Sequence, residues 1–289
     1  MRVMWERLVA RWRNLQPSVQ ESQRAIDSRF CGLHDAVLSG WFNNATGELH
    51  PNYAVGPGDQ VLDFGCGGGG ATQFCARQGA HVTFLDSDAS KITQLERALK
   101  SAGTAAFEGI ACDTLPLPLA DTRFSRVVAQ EVLEHVDDPH AVLAELYRVG
   151  QPGALYLLAV PHARSEQLQQ GIAPDGHFAP PNHRHIFDEE SFTALIQAAG
   201  LEIVSRHDFG FYWAFWMMLY WANFQAEGKQ LDAATHDLIA PPYPALLDDW
   251  ASLWQQLLHL PAGPEIKQRL DALLPKSQIV VARKPLAGS

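Results

Sequence analysis

Between residues 60 and 204, short apolar runs alternate with stretches of helical periodicity. The run Val61–Phe64 precedes helical spacing over Ala71–Gln78, and His81–Leu85 precedes the same spacing over Ile92–Leu99. Short apolar runs are typical of buried strands, and apolar residues three or four positions apart are typical of helices packed on one face. Further strands are predicted at Ala105–Ile110, Arg126–Ala129, Ala154–Ala159 and Leu201–Val204, with helices at His140–Val149 and Phe192–Ala199. This alternation predicts an α/β fold, in which helices cover both faces of a mainly parallel sheet.

The chain on either side of this region is predicted to be largely helical. Apolar residues recur at helical spacing over Met1–Leu15, with arginines between them, and again from Phe30 to Trp41. Later helices are predicted at Phe211–Phe224, Leu231–Leu238, Ala245–Leu258 and Glu265–Leu274, followed by a last strand at Gln278–Ala282. The predicted domains are an N-terminal helical cap (1–50), a core (51–208), a late helical insertion (209–274), and a final core strand with its tail (275–289).

Composition disfavours several classes of protein. Hydrophobic residues make up 47% of the chain, enough for a large core, and 19% charged residues is low for a disordered chain. The formal net charge of −10 disfavours binding to DNA, which needs a basic surface. The four cysteines contain no Cys-x-x-Cys pair, and arginines interrupt the first fifteen residues. We therefore expect reduced thiols, no signal peptide and a cytoplasmic protein.

The run Phe211–Phe224 is unusual because it contains eight aromatic residues. As a helix it would span about 21 Å, less than the ~30 Å core of a bilayer. Three interpretations remain open. The run is a buried helix, or a hydrophobic lid over a substrate, or a peripheral membrane contact assisted by residues 1–15.

A glycine-rich segment follows the first strand of the core. The spacing Gly65-x-Gly67-x-x-Gly70 allows a tight turn and exposes backbone N–H groups at the start of a helix, and it also fits a dinucleotide-binding loop. Asp63 comes just before the loop, where a carboxylate suits an ammonium group better than a pyrophosphate. Asp86 ends the second strand, where an acid can bind ribose hydroxyls.

These residues resemble motif I of the class I S-adenosylmethionine-dependent methyltransferases. The blocks Cys112–Pro118, Phe124–Pro139 and Arg148–Gly153 resemble later motifs of that family, in the same order. The resemblance implies a Rossmann-like, seven-stranded, mainly parallel sheet and S-adenosyl-L-methionine as cofactor, with Asp86 at the ribose and Asp113 at the adenine. The implied cofactor-binding residues are Asp63, Gly65, Cys66, Gly67, Gly69, Asp86, Ser87, Cys112, Asp113, Thr114 and Gln130.

Methyl transfer needs an acceptor held in line with the sulfonium and, for a hydroxyl acceptor, a group that removes a proton. Histidine suits this role because its pKa is close to neutrality. His135 follows the fourth strand, His162 follows the fifth, and His185 lies further along, so all three are catalytic candidates. His177 and His183 are expected only to line a loop.

A metal ion is a further candidate. The pattern Glu131-x-x-Glu134-His135, with a later histidine before an aromatic residue, resembles metal-dependent O-methyltransferases of the ubiquinone pathway and of RNA 2′-O-methylation. With His185, these residues could hold Mg²⁺ or Mn²⁺. The same block also occurs in methyltransferases without a metal, so both interpretations stay open.

The sequence thus predicts an S-adenosylmethionine-dependent O-methyltransferase. The expected acceptor is a small or medium-sized molecule, such as a glycan, a lipid-linked molecule or a natural product. A nitrogen acceptor is disfavoured because Gln130-Glu131-Val132 stands where an Asn/Asp-Pro-Pro-Tyr/Phe signature would be expected. Two alternatives remain at this point: an NAD-dependent oxidoreductase, which would use the same glycines, and a non-catalytic scaffold with the same fold.

Overall fold

The computed structural model describes residues 27–104, 106–231, 235, 239 and 241–286. The helix predicted over Met1–Leu15 lies outside these residues, as does most of the helix predicted over Leu231–Leu238. The strands are β1 (Glu48–His50), β2 (Tyr53–Ala54), β3 (Gln60–Phe64), β4 (His81–Asp86), β5 (Phe107–Ala111), β6 (Phe124–Gln130), β7 (Gly150–Pro161), β8 (Glu202–Phe209) and β9 (Ser277–Arg283).

The helices flank and follow these strands. They are α1 (Ser28–Leu38), α2 (Gly70–Arg77), α3 (Ala89–Ser101), α4 (Pro139–Val149), α5 (Ala163–Gln169), α6 (Glu189–Ala198), α7 (Phe211–Ala226), α8 (Ala245–Leu258) and α9 (Gly263–Leu273). A short 3₁₀ helix, Asp175–Phe178, lies between α5 and α6.

The central sheet has seven strands in the order β5-β4-β3-β6-β7-β9-β8. The strands from β5 to β7 pair in parallel, and β9 is antiparallel to both β7 and β8. The predicted fold class and the antiparallel last strand are therefore confirmed. Strand order reverses between β3 and β6, so their carboxyl ends flank the crevice where such sheets bind ligands.

Both faces of the sheet are covered, as the sequence predicts. On one face, α4 and α6 contribute buried residues such as Leu146 and Phe192. On the other face, Phe74 of α2 packs with Leu49 and Tyr53 of the small hairpin formed by β1 and β2. The hairpin was not predicted: residues 48–50 were assigned to the helical cap, and no strand was predicted at residues 53–54.

Four helices, α1, α7, α8 and α9, form what we call the helical module. The hydroxyl of Tyr212 on α7 donates to the carbonyl of Ser28 at 2.9 Å, and Trp254 Nε1 on α8 donates to Asp35 at 2.9 Å. The N-terminal helix α1 thus packs on the late insertion. Every aromatic side chain of α7 is buried or half-buried, which fits the buried-helix interpretation.

Among the described residues, no helix is both long enough and apolar enough to cross a membrane.

Helix α1 faces the module with a different side from the predicted one. Its large apolar residues are exposed, and it buries Cys31, Gly32 and Asp35 instead. A Cβ at position 32 would lie only 2.2 Å from the Trp213 ring, so glycine permits the close approach. The exposed residues are Phe30, Leu33, Val37 and Leu38. The apolar stripe misled the prediction because Asp35, on the opposite side of the helix, contacts the buried Lys267 and Trp254 of the module.

Candidate active site

The glycine loop between β3 and α2 is tightly folded. Gly65, Gly67 and Gly69 have left-handed φ angles of 72°, 48° and 76°, which residues with a Cβ rarely adopt. A Cβ at Gly65 would lie 2.4 Å from Val132 Cγ2, and one at Gly69 would lie 2.4 Å from Leu95 Cδ1. The loop is therefore pressed against the segment that follows β6 and against α3.

The same loop is open on its other side. At Gly67 and Gly68, an added Cβ would have no atom within 4 Å. This open space lies over backbone N–H groups at the start of α2, and the acid Asp86 stands at its edge. Oδ2 of Asp86 accepts a hydrogen bond from Gly67 N at 2.9 Å, and Oδ1 accepts one from Asp88 N at 3.0 Å. A space bounded by glycines and a carboxylate fits a nucleoside cofactor such as S-adenosylmethionine.

The other predicted cofactor residues lie at this edge of the sheet. Gln130 ends β6 and is half-buried, Ser87 follows β4, and the segment 112–114 follows β5. The backbone N–H of Cys112 donates to the carbonyl of Asp86 at 3.0 Å, which places the two acidic strand ends side by side. Asp113 and Thr114 are exposed. Their individual contacts with a cofactor remain predictions.

Asp63 lies beneath the loop. It is 4% exposed, and it accepts a hydrogen bond of 2.6 Å from Thr72 Oγ1. Burial raises the pKa of its carboxyl group to about 6. The thiol of Cys66 in the loop is also buried, which raises its pKa to about 12 and keeps it protonated.

Glu131 is held by the far end of the chain. Its φ of 53° is left-handed, and its backbone N–H donates to Ala159 O at 2.8 Å. Its carboxylate accepts hydrogen bonds from Lys276 Nζ and, at 2.8 Å, from Ser277 Oγ. Burial lowers the pKa of Lys276 to about 8. The carboxylate therefore points to the start of β9.

Glu134 is enclosed beside His135. Its side chain is fully buried, and neither carboxylate oxygen has a hydrogen-bond partner among the described residues. Burial raises its pKa to about 8. His135 Nε2 lies 3.7 Å from Glu134 Oε1, and the His135 side chain is 35% exposed. The Glu134 carbonyl accepts hydrogen bonds from Arg184 N at 2.8 Å and His185 N at 3.2 Å, so the later histidine loop is fixed against this segment.

Three residues that the sequence did not single out as functional join this pair. His183 Nδ1 lies 2.6 Å from Glu166 Oε2, and its ring centroid is 5.1 Å from that of His135. The His177 ring centroid lies 4.5 Å from that of His183. His177 and His183 were expected only to line a loop. Their close sequence spacing was a signal for a cluster, but nothing in the local pattern indicated that α5 contributes Glu166.

The four predicted metal ligands do not lie together as one set among the described residues. Glu131 is bound to the start of β9, and His185 Nε2 donates to the carbonyl of Val136 at 2.9 Å. Of the four, Glu134 and His135 lie close together, and their neighbour is His183. A shared role of these four residues in binding Mg²⁺ or Mn²⁺ therefore stays a prediction.

The third catalytic candidate, His162, has a local structural role. It is 5% exposed, and its Nδ1 accepts a hydrogen bond from Arg164 N at 3.0 Å, which caps α5. Burial lowers its pKa, so the neutral form that can accept this bond is favoured.

Comparisons with known proteins identify the family of this chain. A family model described as a methyltransferase domain matches residues 39–206. The ubiquinone biosynthesis O-methyltransferase of Idiomarina loihiensis is 26% identical over 211 residues, 64% of this chain and 84% of that protein. The same-named protein of Hahella chejuensis is 37% identical over 99 residues, 34% of this chain and 41% of that protein. Cycloartenol-C-24-methyltransferase 1 of Oryza sativa subsp. japonica is 37% identical over 141 residues, 47% of this chain and 37% of that protein. The match thus spans less than half the length of two of these three relatives.

Solved structures share the fold. A SAM-dependent methyltransferase from Methanosarcina mazei superposes with a TM-score of 0.52 at 19% identity, covering 83% of this chain and 99% of the other. The [4+2]-cyclase SpnF superposes with a TM-score of 0.51 at 20% identity, covering 94% and 86%. The family match spans more than half of the chain and includes the glycine loop with its flanking acids. The chain therefore belongs to the methyltransferase domain family and is a class I S-adenosylmethionine-dependent methyltransferase.

Proposed function

We propose that this enzyme methylates a hydroxyl oxygen of a small or medium-sized acceptor. The observation that carries the proposal is the position of the Glu134–His135 pair next to the cofactor loop. The pair follows Val132, whose side chain fills the space that a Cβ at Gly65 would occupy. A titratable pair beside a cofactor site suits an acceptor that loses a proton.

In this proposal the cofactor, when bound, supplies an electrophilic methyl group. His135, which is partly exposed, accepts the hydroxyl proton of the acceptor. Glu134 is a positioning residue: it lies behind His135, with Oε1 at 3.7 Å from Nε2. Glu131, bound to Lys276, holds the turn between β6 and this segment.

The helical module is expected to select the acceptor. The ring centroid of His177 lies 5.1 Å from that of Trp221 on α7, so the histidine cluster contacts the aromatic interior of the module. Half-buried apolar residues of this region, such as Phe178 and Met217, support an acceptor with an apolar part. Two relatives are named for methylation of an oxygen in ubiquinone biosynthesis, which supports the same choice of atom.

Methylation of carbon is the second candidate. The rice relative, which is named for transfer to C-24 of cycloartenol, is as similar in its matched region as any of those above, at 37% identity. An alkene carbon needs no proton acceptor before it attacks the methyl group. The two candidates therefore differ in whether His135 is needed before methyl transfer.

The experiment uses S-adenosylmethionine with a ¹³C-labelled methyl group and a panel of phenols, aliphatic alcohols and apolar alkenes. We expect a product whose ¹³C chemical shift is that of a methoxy group. His135→Gln should lower kcat strongly and leave the affinity for the cofactor unchanged, whereas His140→Gln, at an exposed position on α4, should change neither. A label on carbon or nitrogen, or equal rates in the two variants, would refute the proposal.

A further inference from the structure

A second group of possible ligands lies beside the Glu134–His135 pair. Glu166 on α5, His177 in the short 3₁₀ helix and His183 in the loop after it each offer one atom, and these three atoms lie within 4.8 Å of one another. Glu166 and His177 are 2% exposed, and the His183 side chain is 14% exposed. These residues lie outside the Glu131–His135 block.

The ligand atoms are held in place by buried neighbours. Thr235 Oγ1 lies 3.0 Å from Nδ1 of His177, which leaves Nε2 on the side of the cluster. Glu166 Oε1 accepts a hydrogen bond from Gln169 Nε2 at 3.3 Å, and Gln169 Oε1 in turn accepts one from Trp221 Nε1 at 2.9 Å. Hydrogen bonds that fix the second atom of a ligating group are typical of metal sites.

Glu166 Oε2 and His183 Nδ1 pair with each other at 2.6 Å, but other polar atoms in and beside this cluster lack partners. His177 Nε2 and both oxygens of the neighbouring Glu134 carboxyl are buried without a hydrogen bond among the described residues. A buried polar atom left unpaired costs free energy, so such atoms call for a bound species. Two imidazoles and a carboxylate match the ligand sets that proteins use for zinc and related ions, whereas Mg²⁺ and Ca²⁺ prefer oxygen ligands.

We propose that Glu166, His177 and His183 bind one divalent transition-metal ion of the zinc class. Water or the Glu134 carboxylate completes the coordination. The ion joins α5 and the 175–183 segment to the helical module, because the hydrogen-bond chain from Glu166 ends at Trp221 on α7. The proposal does not rest on the acceptor, since binding is measured without cofactor or substrate.

The test begins with the full chain freed of metal by a chelator and titrated with Co²⁺. We expect one ion per chain and the visible absorption of a four-coordinate site. Glu166→Gln and His177→Gln should each weaken binding at least about tenfold, in line with the effects of ligand and outer-shell substitutions on metal affinity. Glu131→Gln and the exposed His140→Gln should bind as the wild type does.

A second measurement needs no variant, so it holds even if a substituted chain fails to fold. After loading with ¹¹³Cd, scalar coupling between the metal and imidazole protons identifies the ligating histidines. We expect coupling to His177 and His183. Coupling to His135 without His177, loss of binding in Glu131→Gln, or no binding to the wild type would each overturn the proposal.

Discussion

The backbone N–H of Gly67 donates a hydrogen bond of 2.9 Å to Oδ2 of Asp86. This contact joins the glycine loop after β3 to the end of β4, so the two parts of the cofactor site hold each other in place. The other oxygen of Asp86 accepts from Asp88 N at 3.0 Å. Because an ionised carboxylate has about four acceptor positions, Asp86 can still accept hydrogen bonds from a ribose.

We predict that Asp86→Ala weakens cofactor binding more than any single histidine substitution. Each lost hydrogen bond to a charged group costs about 1.5–3 kcal/mol, so losing two ribose contacts should raise the Kd at least about 100-fold. Isothermal titration with S-adenosylmethionine measures this effect. Glu190→Gln on the exposed start of α6 serves as the control. An unchanged Kd for Asp86→Ala would show that Asp86 is not the ribose acid.

A second prediction concerns the open face of the glycine loop. Gly68→Ala should leave the Tm unchanged, because its Cβ would have no neighbour within 4 Å, yet weaken cofactor binding by occupying the open space. Gly65→Ala should instead lower the Tm, since its Cβ would lie 2.4 Å from Val132 and its φ is left-handed. Thermal denaturation and cofactor titration of both variants separate these effects. Normal cofactor affinity in Gly68→Ala would place the cofactor elsewhere.

The third prediction concerns the buried charges of the helical module. Lys267 is 4% exposed, and its ammonium lies 3.4 Å from Asp35 and 2.5 Å from Asp271. Asp271 also accepts backbone hydrogen bonds from Gly210 at 3.0 Å and Phe211 at 2.8 Å, at the start of α7.

Lys267→Met should destabilise the protein by about 3–5 kcal/mol, because it leaves buried carboxylates without a counter-charge. Urea denaturation checks this, with exposed Arg269→Met on α9 as control. Equal stability of these two variants would contradict the prediction.

The fourth prediction is a pH dependence of stability. Burial raises the pKa of Asp35 from 3.8 to about 6, despite the opposing effect of Lys267. As pH rises from about 4 to about 6, the unfolded chain loses this proton while the folded chain keeps it, so the free energy of unfolding falls. It stops falling once the folded carboxyl group also ionises.

Asp35→Asn removes this titration. Relative to the wild type, the variant should therefore gain stability between about pH 4 and pH 6, and the difference should then stay constant. Urea denaturation at several pH values measures the difference, and exposed Asp249→Asn on α8 should show no such trend. A difference that is independent of pH would mean that Asp35 has an ordinary pKa in the folded protein.

The sheet could be predicted because its signals are local. Apolar runs, helical spacing and a glycine turn each lie within a few residues, and the rules for parallel sheets then bring the strand ends together at one edge. That is why the sequence alone assigns Asp63, Asp86 and Gln130 to one edge of the sheet. The structure places all three at the carboxyl ends of β3, β4 and β6.

Contacts between distant segments could not be predicted in this way. Glu131 looked like a metal ligand because it stands in a short motif with Glu134 and His135, yet its carboxylate is bound to Lys276, 145 residues away. The apolar stripe of α1 suggested a buried face, but the contact of Asp35 with Lys267 and Trp254 turns the opposite side inwards. In both places a charged partner from a distant segment of the chain prevailed over the local pattern.

The sequence by itself thus determined the fold class, the cofactor edge and the family, since periodicity and motif spacing are properties of neighbouring residues. Only the tertiary structure decided which titratable groups share one environment. Glu166, His177 and His183 meet because α5, a 3₁₀ helix and a loop converge beneath α7, and no local pattern encodes that convergence. Burial then favours binding of a ligand by these groups, because a polar atom that is unpaired and away from water costs free energy.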